Sequence, residues 1–394
     1  MTRNMKVVHV AQCVAGGVGA YLDEVAAYQS RAFGKENVFF IVPEGGQSHL
    51  PSVDSSQLIT FSWRGRNPVD LLAFGLGTVR TIRRLDPTIV HLHSSFAGGI
   101  IRPLLAGSRR PKVVYCPHGW AFGIETSNLK KFVYAEYERL LGSGTDLVIM
   151  NSDSERQLAR QYRVHARRMK TIKNGIGIVP APDPLDRQRR CARGGPLAAA
   201  FIGRFDRQKG LDILLDAMRE VPETTLHLHV IGRGVRDQAE SFREQVGSNV
   251  TFHGWLPRTE IMALLREIDL VVVPSRWEAH PLVAIEAMRS GVPVIASDRG
   301  GLPEIVRHGV DGYIFDIDDP TALATLLTGL DRTQLHEMGT QARARFEAEL
   351  TSDRMNAHLE DAYLSLLSSR RKELLPETAE FGAAGGKGAV RHVS

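Results

Sequence analysis

The chain has 394 residues, of which 43% are hydrophobic and 24% are charged, and it carries a net charge of +5. This length accommodates two domains with sizeable cores, and the composition excludes a disordered or fibrous protein. No apolar run approaches the ~20 residues of a membrane-spanning helix. The first residues enter a strand pattern without a signal peptide, and the three cysteines lack metal-ligand spacing. We therefore expect a cytoplasmic protein.

The charge is unevenly distributed along the chain. Residues 1–183 carry 23 basic and 14 acidic side chains, whereas the remainder carries 26 and 30. A basic N-terminal half favours an anionic partner such as a membrane surface or a polyprenyl diphosphate, although an ordinary solvated surface explains the same charges. Aromatic residues do not alternate with these charges as they do in a nucleic-acid groove, so we expect no nucleic-acid partner.

The first predicted strand, residues 6–11, is followed by a glycine turn and an amphipathic helix over residues 20–32. Gly16 and Gly17 in this turn would let a ligand approach the backbone closely, although a tight structural turn explains them equally well. Their spacing is not that of a dinucleotide fingerprint, and no acid ends the second strand. This pattern argues against an NAD-dependent dehydrogenase.

Two later strands of the N-terminal half end in histidine. His91 and His93 close the strand over residues 88–92, and His118 follows the strand over residues 113–116. Alternate histidines suit a metal ion, but no third ligand is visible in the sequence, so we expect no metal. His118 lies at the ligand-binding edge of the predicted sheet, although a lone histidine is commonly structural.

Residues 129–141 predict a helix with Lys130 and Lys131 at its start and Tyr134 and Tyr137 on one side. A basic helix with exposed aromatic residues fits an element that faces an acceptor or a membrane. An ordinary core helix is the alternative interpretation.

Composition divides the chain into five segments. Prolines and arginines without an apolar period predict a linker over residues 181–196, between a first domain over residues 1–180 and a second over residues 197–350. A last helix is predicted over residues 351–375. The glycine- and alanine-rich segment over residues 376–394 is expected to be disordered.

The second domain begins with a strand over residues 197–202, and the following loop carries Arg204 and Lys209. Two cations on one strand-to-helix loop with glycines on both sides can clamp a diphosphate, although a solvated loop has the same composition. The strand over residues 226–231 ends in a turn that contains Gly232.

Residues 270–304 predict a strand, a loop with Glu278, a helix and a second strand. The unpaired N–H groups of Leu282 and Val283 at the start of this helix favour a phosphate oxygen. One nucleotide-sugar could place phosphate there, ribose on Glu286 and its sugar on Glu278. A dipole-stabilising acid and a solvated acid would give the same pattern.

This stretch resembles the E-x7-E signature of retaining GT-B glycosyltransferases, in particular glycosyltransferase family 4. The resemblance is strongest over residues 197–316, where the Gly-Arg…Lys-Gly loop also matches, and is weaker over residues 6–20 and 113–176. The sequence departs from the family at His280, where an apolar residue is usual.

The resemblance implies an α/β GT-B fold with two Rossmann-like domains that face each other across a cleft. It implies a hexosyltransferase that uses a nucleotide-diphosphate sugar, GDP-mannose or a UDP-hexose, as co-substrate, with no cofactor or metal. The implied site comprises His118 and Glu278 for catalysis, Gly16, Gly17, Arg204, Lys209, Leu282 and Val283 for the donor diphosphate, and Glu286 and Gly232 for the ribose and base.

In the family, the leaving phosphate is thought to deprotonate the acceptor, so that no protein base is required. We expect a saccharide or polyprenyl-diphosphate-linked acceptor, in exopolysaccharide or cell-surface glycan assembly. The leading hypothesis is a lipid-linked saccharide, used by an enzyme bound to the anionic inner face of a membrane. Two alternatives share the implied fold: a nucleotide-sugar 2-epimerase, which needs no acceptor, and a non-catalytic nucleotide-sugar-binding module.

Overall fold

The computed structural model of the protein describes residues 5–62, 65, 67–108, 110–181, 194–234 and 247–374, with side chains up to residue 368. Most of the predicted linker and the whole of the predicted tail lie outside the described residues.

The N-terminal half forms a seven-stranded parallel sheet in the order β3-β2-β1-β4-β5-β6-β7. Its elements are β1 (Val7–Ala11), α1 (Gly17–Phe33), β2 (Val38–Pro43), β3 (Leu58–Phe61), α2 (Pro68–Leu85), β4 (Ile89–His93), α3 (Ser94–Leu105), β5 (Lys112–Cys116), α4 (Asn128–Gly142), β6 (Leu147–Met150), α5 (Asp153–Gln161) and β7 (Met169–Thr171). All five residues of β1 are buried. Near-continuous apolar strands of this kind are typical of a parallel sheet with helices on both faces.

The C-terminal half forms a six-stranded parallel sheet in the order β10-β9-β8-β11-β12-β13. Its elements are β8 (Leu197–Ile202), α6 (Leu211–Glu220), β9 (Leu226–Ile231), β10 (Val250–Gly254), α7 (Arg258–Leu264), β11 (Leu270–Val273), α8 (Leu282–Arg289), β12 (Val294–Ser297), α9 (Leu302–Ile305), β13 (Gly312–Phe315), α10 (Ala322–Thr328) and α11 (Arg332–Glu349). The strand order reverses between β1 and β4 and between β8 and β11, which are the switch points where such sheets bind ligands. The expected α/β fold is confirmed.

The last helix, α12 (Ser352–Leu374), returns to the N-terminal sheet. Leu359 and Tyr363 of α12 are buried in the hydrophobic core that contains residues of β1 and α1. Because α12 follows the C-terminal domain directly, it ties the two domains together.

Polar contacts also join the carboxyl edges of the two sheets. The carboxylate of Glu304 on α9 accepts hydrogen bonds from the backbone N–H groups of Asp153, at 3.0 Å, and Ser154, at 2.7 Å. Glu304 thus stabilises the N-terminus of α5 in the opposite domain, where unpaired N–H groups favour a negative charge. Nearby, Asn174 Nδ2 donates to the His280 carbonyl oxygen at 2.8 Å.

A buried ion pair between α3 and α4 provides a test of the N-terminal packing. Arg102 Nη2 lies 2.6 Å from Glu138 Oε2, and both side chains are at most 5% exposed. We expect Glu138→Ala to lower the free energy of unfolding by about 3–5 kcal/mol in urea denaturation, because Arg102 is left buried without its partner. The control Lys35→Ala, which removes an exposed pair with Asp54, should cost less than ~1 kcal/mol. Equal losses in both variants would contradict this prediction.

Candidate active site

The glycine turn after β1 forms one wall of the cleft. Gly16 precedes α1 with φ at 74°, in the left-handed region that favours glycine. A Cβ at Gly17 would meet no atom within 4 Å. The space above this turn is therefore open to a ligand, and the first N–H groups of α1 lie beside it.

His118 follows β5 at the same edge of the sheet, with φ at 51° and a half-buried side chain. Its Nε2 lies 2.9 Å from His93 Nδ1, and the ring of Tyr21 packs edge-on against it. Burial lowers the pKa of His118 to about 4, against a hydrogen bond to Asn151 that raises it. His118 is therefore a neutral hydrogen-bonding group at pH 7.

A third histidine joins the two found in the sequence, which corrects the expectation that no third ligand exists. His9 of β1 lies on the same sheet face as His91 and His93, and these residues offer nitrogen atoms within 4.8 Å of one another. However, His9 Nδ1 and His93 Nε2 are 3.0 Å apart in a hydrogen bond. In this structure the three histidines serve as hydrogen-bonding groups, since His91 Nδ1 also lies 2.6 Å from the Tyr363 hydroxyl.

The structure brings Lys209 and Glu278 together on the opposite side of the cleft. The Lys209 ammonium contacts Glu278 Oε1, which also accepts from Ser275 Oγ at 3.0 Å. Arg204 does not join them: its side chain is 60% exposed and pairs with Asp206 at 2.8 Å.

The loop that carries Glu278 is held by the glycine pair after β12. The N–H of Gly301 donates to the Glu278 carbonyl oxygen at 3.0 Å. A Cβ at Gly300 would lie 2.0 Å from that oxygen, and a Cβ at Gly301 would lie 1.8 Å from the Ala279 oxygen. Only glycine permits this approach. The sequence indicates the turn but not the loop against which it packs.

Helix α8 begins at Leu282, immediately before Val283, and within the described residues no side chain caps it. Glu286 lies one turn further along. Burial raises the pKa of Glu286, while Arg258 partly lowers it. Arg258 Nη2 lies 3.5 Å from Glu286 Oε1 and 3.6 Å from Glu24 Oε1 of the N-terminal domain. Sequence reasoning missed this bridge, because an isolated arginine after a proline carries no recognisable signal.

Glycine is required at position 232 for a structural reason. Its φ is 140°, and a Cβ there would lie 1.8 Å from the carbonyl oxygen of Gly203. The turns after β8 and β9 therefore pack backbone to backbone, at the edge that carries Lys209.

The departure at His280 is accommodated in the interior. The side chain is 3% exposed, and its ring nitrogens have no hydrogen-bond partner in the described part of the chain. Burial, followed by Lys173 and Arg345, lowers its pKa to about 3. His280 thus replaces an apolar residue as a neutral ring.

The buried neutral histidines predict that the free energy of unfolding decreases at low pH. Burial lowers the pKa of His9 to about 4 and that of His280 to about 3, from 6.5. The unfolded state binds more protons below pH 6.5, so stability falls as the pH is lowered. Each residue should cost about 2 kcal/mol between pH 7 and pH 5. Burial raises the pKa of Glu155 to about 7 and also raises that of Glu286, so these two groups act in the opposite direction. They are outnumbered by the histidines whose pKa values burial lowers, which include His9, His91, His93, His118 and His280.

Urea denaturation at pH 7 and pH 5 measures this dependence. His280→Phe, which removes one such group, should reduce the loss of stability at pH 5 relative to wild type. A wild-type free energy of unfolding that is unchanged or larger at pH 5 would contradict the prediction.

Comparison with known proteins identifies the family. The model of group 1 glycosyl transferases matches residues 184–345, and the model of glycosyltransferase family 4 matches residues 15–178. The chain belongs to the group 1 glycosyltransferases of family 4. Its expected membership is thus confirmed, as is the expected enzyme class, a hexosyltransferase.

The chain is similar to several curated proteins along most of their length. It is 32% identical over 331 residues to an uncharacterized 41.2 kDa protein in the cps region of Klebsiella pneumoniae, covering 82% of this chain and 89% of that protein. It is 26% identical over 366 residues to the D-inositol 3-phosphate glycosyltransferase of Corynebacterium diphtheriae, covering 83% and 85%.

The fold is shared with solved structures of low sequence identity. HepE of Anabaena in complex with UDP and glucose has a TM-score of 0.77 and 21% identity, and covers 92% of this chain and 100% of that one. Sucrose-phosphate synthase of Thermosynechococcus elongatus has a TM-score of 0.79 and 20% identity, and covers 93% and 100%. The expected GT-B fold is confirmed. In the part of the chain that the structure describes, no helix has the length and apolar character to cross a membrane.

Proposed function

We propose that this glycosyltransferase is a retaining enzyme that transfers a hexose from a UDP-hexose to a lipid-linked saccharide in the assembly of a polysaccharide. The contact between Lys209 and Glu278 carries this proposal. In this proposal Lys209 is the cation that binds the donor diphosphate and Glu278 is the carboxylate that binds the donor sugar, and the two lie side by side after β8 and β11.

The proposal gives the donor one orientation in this arrangement. Its diphosphate lies between Lys209 and the start of α8 at Leu282 and Val283, where it replaces part of the Lys209–Glu278 ion pair. Glu278 then accepts from hydroxyls of the transferred sugar, and Glu286 accepts from the ribose. Gly232 lies toward the base. Arg204 reaches the diphosphate by exchanging its exposed pair with Asp206, at little cost because surface ion pairs are weak.

The chemistry follows from charge development on the leaving group. As the glycosidic bond breaks, negative charge grows on the diphosphate, where Lys209, Arg204 and the helix dipole stabilise it. His118, neutral at pH 7, and the Gly16–Gly17 turn complete the site from the first domain. The leaving phosphate accepts the proton of the acceptor hydroxyl on the same face. Closure of the cleft excludes water, which would otherwise hydrolyse the donor.

Uridine rather than guanosine is favoured by the structural neighbours. HepE of Anabaena was solved in complex with UDP-glucose, and it covers the same two domains as this chain. The similarity to a protein in a cps region supports a role in polysaccharide assembly.

A thermal-shift experiment with UDP-glucose and GDP-mannose tests the donor site. At about 100 times its dissociation constant, the UDP-sugar should stabilise the wild type by about 2.7 kcal/mol. Lys209→Ala should lose this stabilisation, whereas Arg219→Ala, an exposed arginine on α6, should keep it. If GDP-mannose alone stabilises the protein, the uridine assignment is wrong. If Lys209→Ala retains the shift, the diphosphate site is wrong.

The outer face of the N-terminal domain supports a lipid-linked acceptor. Helices α2, α3 and α4 pack side by side and expose large apolar side chains, which we name the apolar face: Val69, Leu72, Leu76, Leu104, Leu129, Phe132, Val133 and Leu140. Basic residues border it, including Arg80, Arg83 and Lys130. Apolar side chains flanked by cations are typical of proteins that bind an anionic membrane surface. The core-helix interpretation does not hold for these residues of α4.

Vesicle sedimentation tests the apolar face. We expect wild type to bind vesicles rich in phosphatidylglycerol, and the triple variant Leu129→Ser, Phe132→Ser and Leu140→Ser to lose most of this binding, because each substitution removes exposed apolar surface. Trp255→Ser, which changes a 64% exposed residue of the other domain, serves as control and should bind like wild type. A wild type that ignores anionic vesicles and glycosylates a soluble acceptor would overturn the membrane assignment.

A further inference from the structure

A chain of hydrogen-bonded side chains leads from the interior of the N-terminal domain to His118. His9 Nε2 lies 2.9 Å from Gln29 Oε1, and His9 Nδ1 lies 3.0 Å from His93 Nε2. His93 Nδ1 lies 2.9 Å from His118 Nε2. Gln29, His9 and His93 are at most 1% exposed, so water does not compete for these hydrogen bonds.

The direction of donation along these hydrogen bonds is set at Gln29, which lies at the buried end of the series. The atom of Gln29 that lies 2.9 Å from His9 Nε2 is its amide oxygen, which can only accept a hydrogen bond. A neutral imidazole has one donor nitrogen and one acceptor nitrogen, so the direction of one hydrogen bond determines the direction of the next. His9 donates to Gln29, His93 donates to His9, and His118 Nε2 donates to His93.

We propose that His93 is a positioning residue for His118, and that His9 and Gln29 hold His93 so that the chain fixes the Nε2-protonated tautomer and the ring orientation of His118. His118 then presents Nδ1 as an acceptor to a hydroxyl of the bound sugar. This inference rests on the proposed function, which places the donor sugar at His118.

The backbone around the last link supports this role. Ser94, directly after His93, has φ at 75°, and His118 has φ at 51°. Non-glycine residues in the left-handed region are strained, and such strain persists where the surrounding structure imposes it, most often at functional sites. Here it falls on both sides of the hydrogen bond that connects His93 to His118.

His91 offers a matched control. It is fully buried on the same strand face, with its ring centroid 4.1 Å from that of His93. Its Nδ1 is bonded to the Tyr363 hydroxyl at 2.6 Å, and its Nε2 has no hydrogen-bond partner in the described part of the chain, so His91 is not hydrogen-bonded to His118. Phenylalanine at position 91 or 93 fills a similar volume without ring nitrogens.

The tautomer of His118 can be read from ring nitrogen chemical shifts in protein labelled with ¹⁵N-histidine, without any donor bound. We expect a single Nε2-protonated form in the wild type and in His91→Phe, and a mixture of tautomers in His93→Phe. In steady-state kinetics, His93→Phe should lower kcat about 10- to 100-fold with a smaller change in KM, as expected for a misplaced ligand contact. His91→Phe should stay within about twofold of wild type, a change too small to indicate a lost contact.

Substitutions at Gln29 test the inner end even if His93→Phe does not fold. Gln29→Glu keeps an acceptor for His9 and should preserve the tautomer, whereas Gln29→Met should not. An Nδ1-protonated His118 in the wild type would overturn the proposal, as would unchanged shifts and kcat in His93→Phe. Because the tautomer is measured without donor, a wrong donor assignment would leave this result intact.

Discussion

The structure depends on one constraint, which is that every pair of neighbouring strands in both sheets runs parallel. Parallel strands must be connected by crossovers, so all of their carboxyl ends lie at one edge. Gly16, His93 and His118 consequently meet at the edge of the first sheet, and Lys209 and Glu278 meet at the edge of the second. The candidate site lies where these two edges face each other, and no single segment of the chain contains all of its residues.

Several polar contacts join the two domains close to the candidate site. Glu304 stabilises the N-terminus of α5, Asn174 bonds the backbone of His280, and Arg258 lies between Glu24 and Glu286. A typical hydrogen bond contributes only about 1 kcal/mol net, because water replaces it when it opens. Contacts of this kind suit a cleft that opens for substrate and closes for reaction. Helix α12 packs into the hydrophobic core of the N-terminal domain by apolar contacts, so it holds the two domains together whether the cleft is open or closed.

Much of the fold follows from local patterns. The helix expected over residues 129–141 is observed at Asn128–Gly142, and the helix expected over residues 20–32 extends over Gly17–Phe33. Helix α3 is not predicted, because Gly98, Gly99 and Pro103 disfavour a helix. The glycine at position 98 is explained by tertiary packing. A Cβ there would lie 2.3 Å from the Tyr115 ring, so glycine lets α3 approach the sheet closely.

The sequence by itself determined the elements, the glycine turns and the residue types at the strand ends, because hydrophobic period and turn chemistry are local properties of the chain. It indicated Lys209 and Glu278 separately, but their contact joins residues 69 positions apart. Only the tertiary structure decided that His9 joins His93, that Glu304 stabilises a helix of the other domain, and that Arg258 bridges the cleft. These pairings depend on which surfaces pack together, and a packing partner leaves no periodic trace in the sequence around either residue.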